Sequence, residues 1–196
     1  MIYGGIDYSL NCPCLCIYDD SLGEFSHDTC EYYFQQHSVS EKEKERRLEL
    51  KLKNIHPSVQ YEWKDDYHRF FGLADYFLSI LIQYGVSIVA MENYSLGSTG
   101  KVFNIAECTA ALKQFMMLTG IKFYMFPPTY VKRTFSGKGN ADKEKMGIAY
   151  NEKYNINISQ LFQKSDYWDS PVSDIIDSHA MLYTYFYGDD NKKYGI

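Results

Sequence analysis

The stretch YGVSIVAMENYS, residues 84–95, decides how the chain is read. Ahead of it, Phe70, Leu73, Ala74, Phe77, Ile80, Leu81 and Tyr84 recur at helical spacing, which predicts an amphipathic helix over residues ~66–84. Gly85 is the residue type that ends such a helix. Val86–Met91 is then a short apolar run of strand character, with Glu92 at its C-terminal end. The alternation repeats downstream. Ile105, Ala106, Thr109, Leu112 and Met116 mark a second helix closed by Gly120, and Ile121–Phe126 a further strand stopped by Pro127-Pro128.

Toward the N-terminus, Ile2–Tyr8 reads as a central strand and Cys12–Tyr18 as a second. A third is expected within Glu24–Gln35, after the turn signal Asp19-Asp20-Ser21-Leu22-Gly23. Short connections between the three predict an antiparallel meander. Toward the C-terminus, Asn140 is expected to cap a helix running toward Lys153. Ser170 and Pro171 are expected at the N-cap and first position of a last helix that reaches Tyr187 and ends at Gly188. The order predicts an α/β architecture, a mixed five-stranded sheet flanked by helices. Within residues 40–53, Glu43/Arg47 and Glu49/Lys53 favour a solvated helix, while Leu48, Leu50 and Leu52 alternate as in a strand; both readings stay open.

The chain has 196 residues, 45% apolar and 23% charged, the balance of one ordinary globular domain. That excludes a wholly disordered chain. No apolar run is long enough for a membrane helix, and MIYGGIDYSL has no basic region of the secretory kind. No membrane partner and a cytoplasmic location are expected. The net charge of −5 argues against coating nucleic acid by bulk charge, but leaves room for a local basic groove. Cys12, Cys14 and Cys16 alternate and so share one face of a strand. Their spacing is not that of a zinc ribbon, so buried reduced thiols are expected, and none of Cys12, Cys14 and Cys16 is expected to bind zinc.

Four acids stand in apolar surroundings. Asp7 ends the first strand in GGIDYS, Glu92 ends the fourth in VAMENYS, and Asp174 and Asp177 lie in SDIIDSHAM on the last helix. Three residues apart on a helix, the last two share a face. Taken singly, Asp7 could form a strand-end turn, Glu92 could pair with a lysine and Asp174 could complement the helix dipole. Taken together they are a ligand set for magnesium, which offsets the cost of carboxylates among Ile, Val, Ala and Met.

This set resembles the RuvC-type Holliday-junction resolvases of the RNase H-like nuclease superfamily, and the resemblance runs along most of the chain. GIDYS looks like the family's first-strand Asp motif and MENY like its strand-four Glu motif. Asp174 and Asp177 match its paired acidic positions, with DSHAM as the continuation. FPPTYVKRTFSGKGNADKEKM resembles its Lys-bearing segment, Gly-rich turn and helix opening, which puts Lys132 and Lys143 in the places of two basic active-site residues; plain surface charge is the alternative for these lysines.

The resemblance implies an RNase H-like fold over residues 1–196, with residues 31–66 as an insertion atypical of the family. It implies two magnesium ions, or manganese, held by Asp7, Glu92, Asp174 and Asp177. Lys143 would act near the scissile phosphate, while Lys132, Arg133 and Lys138 would grip flanking phosphates. Tyr94 lies near the family's branch-point aromatic, but Ser95 holds the equivalent offset. The implied activity is resolution of four-way DNA junctions by paired hydrolytic nicks in a homodimer, with the apolar residues 105–117 as its contact; full burial of these residues within the monomer is the alternative. Size, low basicity and a Tyr- and Lys-rich composition look like a viral or phage-encoded member, which would act in the host cytoplasm. The alternatives are a nuclease for flaps or other branched DNA and a non-cleaving branched-DNA-binding protein of the same fold. An actin-like ATPase also opens on Gly-x-Asp, but needs a second phosphate loop and usually two domains.

Overall fold

The computed structural model describes residues 1–36, 54–60, 62–93, 102–162, 167, 169–189 and 191–195. Strands β1 (Ile2–Asp7), β2 (Cys14–Asp19), β3 (Cys30–Gln36), β4 (Ile55–Val59), β5 (Ile88–Glu92) and β6 (Lys122–Phe126) form one sheet in the order β4-β3-β2-β1-β5-β6. The pairs β1/β2 and β2/β3 are antiparallel, and β3/β4, β1/β5 and β5/β6 are parallel. The sheet is thus mixed, as expected, but has six strands rather than five. The additional strand, β4, lies at the edge, where Pro57 can face away from its one neighbour without breaking a ladder. It comes from the stretch read as an insertion; residues 40–53 themselves lie outside the described residues.

Helix α1 (Asp66–Tyr84) follows the predicted bounds. Asp65 caps it by accepting from the His68 N–H at 2.9 Å, and Gly85, at φ 68°, closes it. Its buried face is the predicted one, Phe70, Leu73, Ala74, Phe77, Ile80 and Leu81. Helix α2 (Val102–Thr119) packs beside it on the same side of the sheet, so that Leu112 and Met116 join Leu73, Phe77, Leu15 and Ile17 in one core. Phe103, Met117 and Leu118 stay exposed. Among the described residues, no helix is long and apolar enough to cross a membrane.

The opposite face of the sheet carries α3 (Pro128–Ser136), α4 (Lys143–Tyr154), α5 (Ile158–Leu161) and α6 (Val172–Tyr187). Cys12, Cys14 and Cys16 all point into this second core, on one face as their alternation predicts. Three local expectations are corrected. Pro127-Pro128 ends β6 but also starts a helix, because proline at the first helical position sacrifices no hydrogen bond. Asp142, not Asn140, caps α4, its Oδ1 accepting from the Lys145 N–H at 2.9 Å. Pro171, not Ser170, is the N-cap of α6, and the Ser170 side chain serves the Asp174 carboxyl instead.

Candidate active site

The sheet topology brings the four acids together. β1 and β5 are adjacent and parallel, and Ile6 pairs with Met91. Asp7 and Glu92, the next residue on each strand, therefore leave the sheet at the same C-terminal edge. Helix α6 crosses β1 so closely that a Cβ added at Gly5 would lie 2.3 Å from the Ser178 carbonyl oxygen. That packing carries the first turns of α6, with Asp174 and Asp177, over the same edge.

The electrostatics follow. Burial pushes the Asp7 carboxyl well above its ordinary range, and the charges of Asp174, Asp177 and Glu92 push it further, while Lys143 opposes. Burial, then Glu92 and Asp174, raise Asp177 to about 7 against the pull of Lys143 and Lys132. Glu92 has an exposed surface, yet its carboxyl is hemmed in by the wall of a recess; burial raises it and Lys132 lowers it. Burial also raises Asp174, opposed by Ser170, Lys143 and the Cys12 thiol. Asp174 Oδ2 is buried with no hydrogen-bond partner among the described residues.

An all-oxygen donor set with an orphaned carboxylate oxygen and strong mutual repulsion fits a hard divalent cation. A cation would supply the missing partner of Asp174 Oδ2 and cancel the repulsion at Asp7. The residues that could hold it are Asp7, Glu92, Asp174 and Asp177.

The recess has a volume of about 180 Å³, and Glu92, Pro128, Lys132, Asp142, Lys143 and Asp177 line it. Lys143 Nζ donates to Ser173 Oγ at 3.0 Å, which holds the ammonium beside Asp174. Lys132, on α3, faces Glu92 and Asp177. Both lysines thus stand by the carboxylates, as expected for two basic active-site residues, although Lys132 is also expected to grip a flanking phosphate. Arg133 and Lys138 do not line the recess; both are exposed, and the Arg133 guanidinium lies 5.5 Å from the Tyr130 ring centroid. Tyr94 lies outside the described residues.

Ser173, Ser170 and Cys12 are site residues that sequence reasoning misses, since small polar side chains beside an acid give no periodic signal. Asp142 also lines the recess, but its carboxylate is engaged by the Lys145 N–H and Nζ and held below its ordinary value, so it serves as a helix cap.

No protein-family model matches the chain, and no curated protein matches it. Among solved structures it is similar to Thermus thermophilus RuvC, with 14% identity and a TM-score of 0.56 over 95% of this chain and 94% of that one. It is similar also to T. thermophilus RuvC in complex with Holliday junction substrate, with 14% identity and a TM-score of 0.59 over 95% and 93% of the two chains. At nearly full coverage of both chains, the six strands and the helices around them are therefore arranged in the RuvC fold, an α/β architecture of the kind that the order of elements predicts.

Proposed function

We propose that this chain is a divalent-metal-dependent endonuclease that resolves four-way DNA junctions by paired hydrolytic nicks. The observation that carries the reading is the convergence of Asp7, Glu92, Asp174 and Asp177 at one sheet edge, with Lys132 and Lys143 facing them. The RuvC fold, found in a solved complex with Holliday junction substrate, supports the choice of DNA.

The four carboxylates would hold two magnesium ions, with manganese as a substitute. Such a pair, when bound, activates the attacking water and stabilises the leaving oxygen of a phosphodiester. The chain's own residues do the rest. Lys143, anchored by Ser173, presents a fixed positive charge where negative charge grows on the phosphate. Lys132, on α3, adds a second charge from the lining of the same recess. Arg133 and Lys138, outside the recess, bind backbone phosphates and position the strand without reading its sequence. Tyr94 is kept as a candidate DNA contact beyond Asn93.

Two nicks need two sites. A two-fold homodimer supplies them, and exposed Phe103, Met117 and Leu118 on α2 support that helix as the contact.

The test is a labelled four-way junction incubated with the protein and magnesium, with three-way and linear duplexes in parallel. Paired, symmetric nicks in the four-way substrate alone are the expected result. Equal cutting of three-way or flapped DNA would replace junction resolution by general branch cleavage, since fold does not fix substrate. Binding without cutting in either metal would leave a DNA-binding protein of the same fold.

A further inference from the structure

Behind the carboxylates, a second set of metal-type donors lies in the interior. In the β2/β3 ladder Cys16 pairs with Tyr32 and Tyr18 with Cys30, so the two cysteines are diagonal neighbours on one face of the sheet. Helix α6 lays His179 on that face. One ligand atom from each of Cys16, Cys30 and His179 falls within 4.8 Å of the others, and the Cys16 Sγ to His179 Nδ1 distance is 3.9 Å. All three residues are buried.

We propose that Cys16, Cys30 and His179 bind a structural Zn²⁺ ion, with the Tyr32 hydroxyl at the fourth position. Bond lengths of about 2.3 Å to sulfur and 2.0–2.1 Å to nitrogen put tetrahedral ligand atoms roughly 3.5–3.8 Å apart. The Cys16–His179 distance is already close to this, and the widest separation must contract by about 1 Å, which side-chain torsions can supply. The buried Tyr32 hydroxyl sits 2.8 Å from His179 Nδ1, with the Tyr150 hydroxyl 3.1 Å beyond it. Nε2 of the same ring is 2.7 Å from the Tyr154 hydroxyl. That is the outer hydrogen bond that orients a metal-bound imidazole.

The charge balance suits the interior. Two thiols lose their protons to solvent on binding, and the two thiolates neutralise the dication. A neutral imidazole and a neutral hydroxyl add nothing, so the complex carries no net charge into a core walled by Phe25, Phe135 and Tyr150. Soft sulfur donors also separate this site from the all-oxygen cluster: thiolate and imidazole select zinc, whereas carboxylates suit magnesium and manganese.

Its place in the fold gives it a role. The ion would tie α6 to β2 and β3 two residues beyond Asp177, and so fix the helix that carries half of the acidic cluster. Cys12 and Cys14, the other two cysteines of the same face, take no part.

The test uses the intact chain, expressed in zinc-containing medium and then loaded with one equivalent of Co²⁺ in place of zinc. One zinc per chain is expected by elemental analysis. With cobalt, a thiolate-to-metal charge-transfer band in the near ultraviolet and tetrahedral visible bands are expected. Both should disappear in Cys16→Ser and in Cys30→Ser, and persist in Asp7→Asn and in Cys108→Ser, which alters a buried cysteine of the opposite core. A wild-type protein with no zinc and no charge-transfer band would overturn the proposal, and so would a band that survives Cys16→Ser. The wild-type spectrum decides on its own if a variant does not fold.

Discussion

Gly5 lies against the backbone of Ser178: a Cβ built on it falls 2.3 Å from that carbonyl oxygen and 2.8 Å from Leu182 Cγ. The strand that ends in Asp7 and the helix that carries Asp177 thus meet with no side chain between them. Gly4, one residue earlier, faces the other core, where a Cβ would lie 3.2–3.4 Å from Leu81, Leu15 and Val89 side-chain tips that can move. Gly5→Ala should therefore destabilise the protein by about 2–3 kcal/mol, the upper range of overpacking, because the obstacle is backbone. Gly4→Ala should change stability by less than about 1 kcal/mol. Thermal or urea unfolding of the two variants checks this, and equal losses would contradict the close approach of strand and helix.

The acidic cluster makes a prediction about pH. Asp177 is raised from its ordinary 3.8 to about 7, and Asp7, Asp174 and Glu92 are raised in the same direction. An unfolded chain releases these protons near pH 4, but the native state holds that of Asp177 until about 7 and those of the other three to above their ordinary range. Between those values the native state binds more protons, so its stability falls as pH rises. The helix caps Asp65 and Asp142 are shifted the other way and act only at lower pH, and burial lowers His27 and His179, which oppose the fall below their ordinary 6.5, so the acidic cluster is read alone above that value. In chelator, the melting temperature should fall from pH 6.5 to 7.5, flatten in Asp177→Asn over that interval, and recover on adding magnesium more at pH 7.5 than at 6.5. A pH-independent melting temperature in chelator would contradict the clustering.

Replacing a carboxylate by its amide separates metal binding from DNA binding. Asp7→Asn, Glu92→Gln and Asp177→Asn should each abolish cleavage while the dissociation constant for a four-way junction stays near the wild-type value. The amide keeps the shape but removes the charge that a cation needs. Gel-shift and single-turnover measurements check both halves, and near-normal cutting by Asp7→Asn with magnesium would contradict the assignment.

The four acids are legible in the sequence because each contradicts its surroundings: a charge at the end of an apolar strand or inside an apolar helix asks for a reason. Helix α1 is legible through its seven apolar positions and Gly85, while its Asp65 cap shows only in the structure. What is hidden has physical causes. β4 reads IHPSV, and its proline argues against a strand until the edge position is known. α3 is masked because two prolines look like a stop, although one of them opens a helix. The grouping of Cys16 with Cys30 and His179 is also invisible, since it joins residues as far as 163 positions apart through strand register and helix packing. Likewise, that Gly5 and Ser178 touch is a property of the crossing of β1 and α6, not of either segment.

The two lysines of the recess should behave differently from the basic residues outside it. Lys143 is held by Ser173 Oγ at 3.0 Å, and its charge is felt at Asp7, Asp174 and Asp177; that of Lys132 is felt at Glu92 and Asp177. Charges so placed act where negative charge develops during phosphodiester hydrolysis. Removing one such group costs roughly 10²–10³ in rate. Lys143→Ala should slow single-turnover cleavage by about that factor at saturating DNA, and Lys132→Ala should follow it. Ser173→Ala, which frees the ammonium but leaves its charge, should have a smaller effect, about tenfold (~1.4 kcal/mol). Arg133→Ala and Lys138→Ala remove charges that meet phosphates unchanged by the reaction. They should weaken binding and reduce the slope of log K against log salt by about 0.9 for each phosphate no longer neutralised, with the rate at saturation near normal. Binding isotherms across a salt series, with single-turnover rates on the same variants, separate the two groups. A normal rate for Lys143→Ala at saturation would make it a surface lysine despite its anchor on α6.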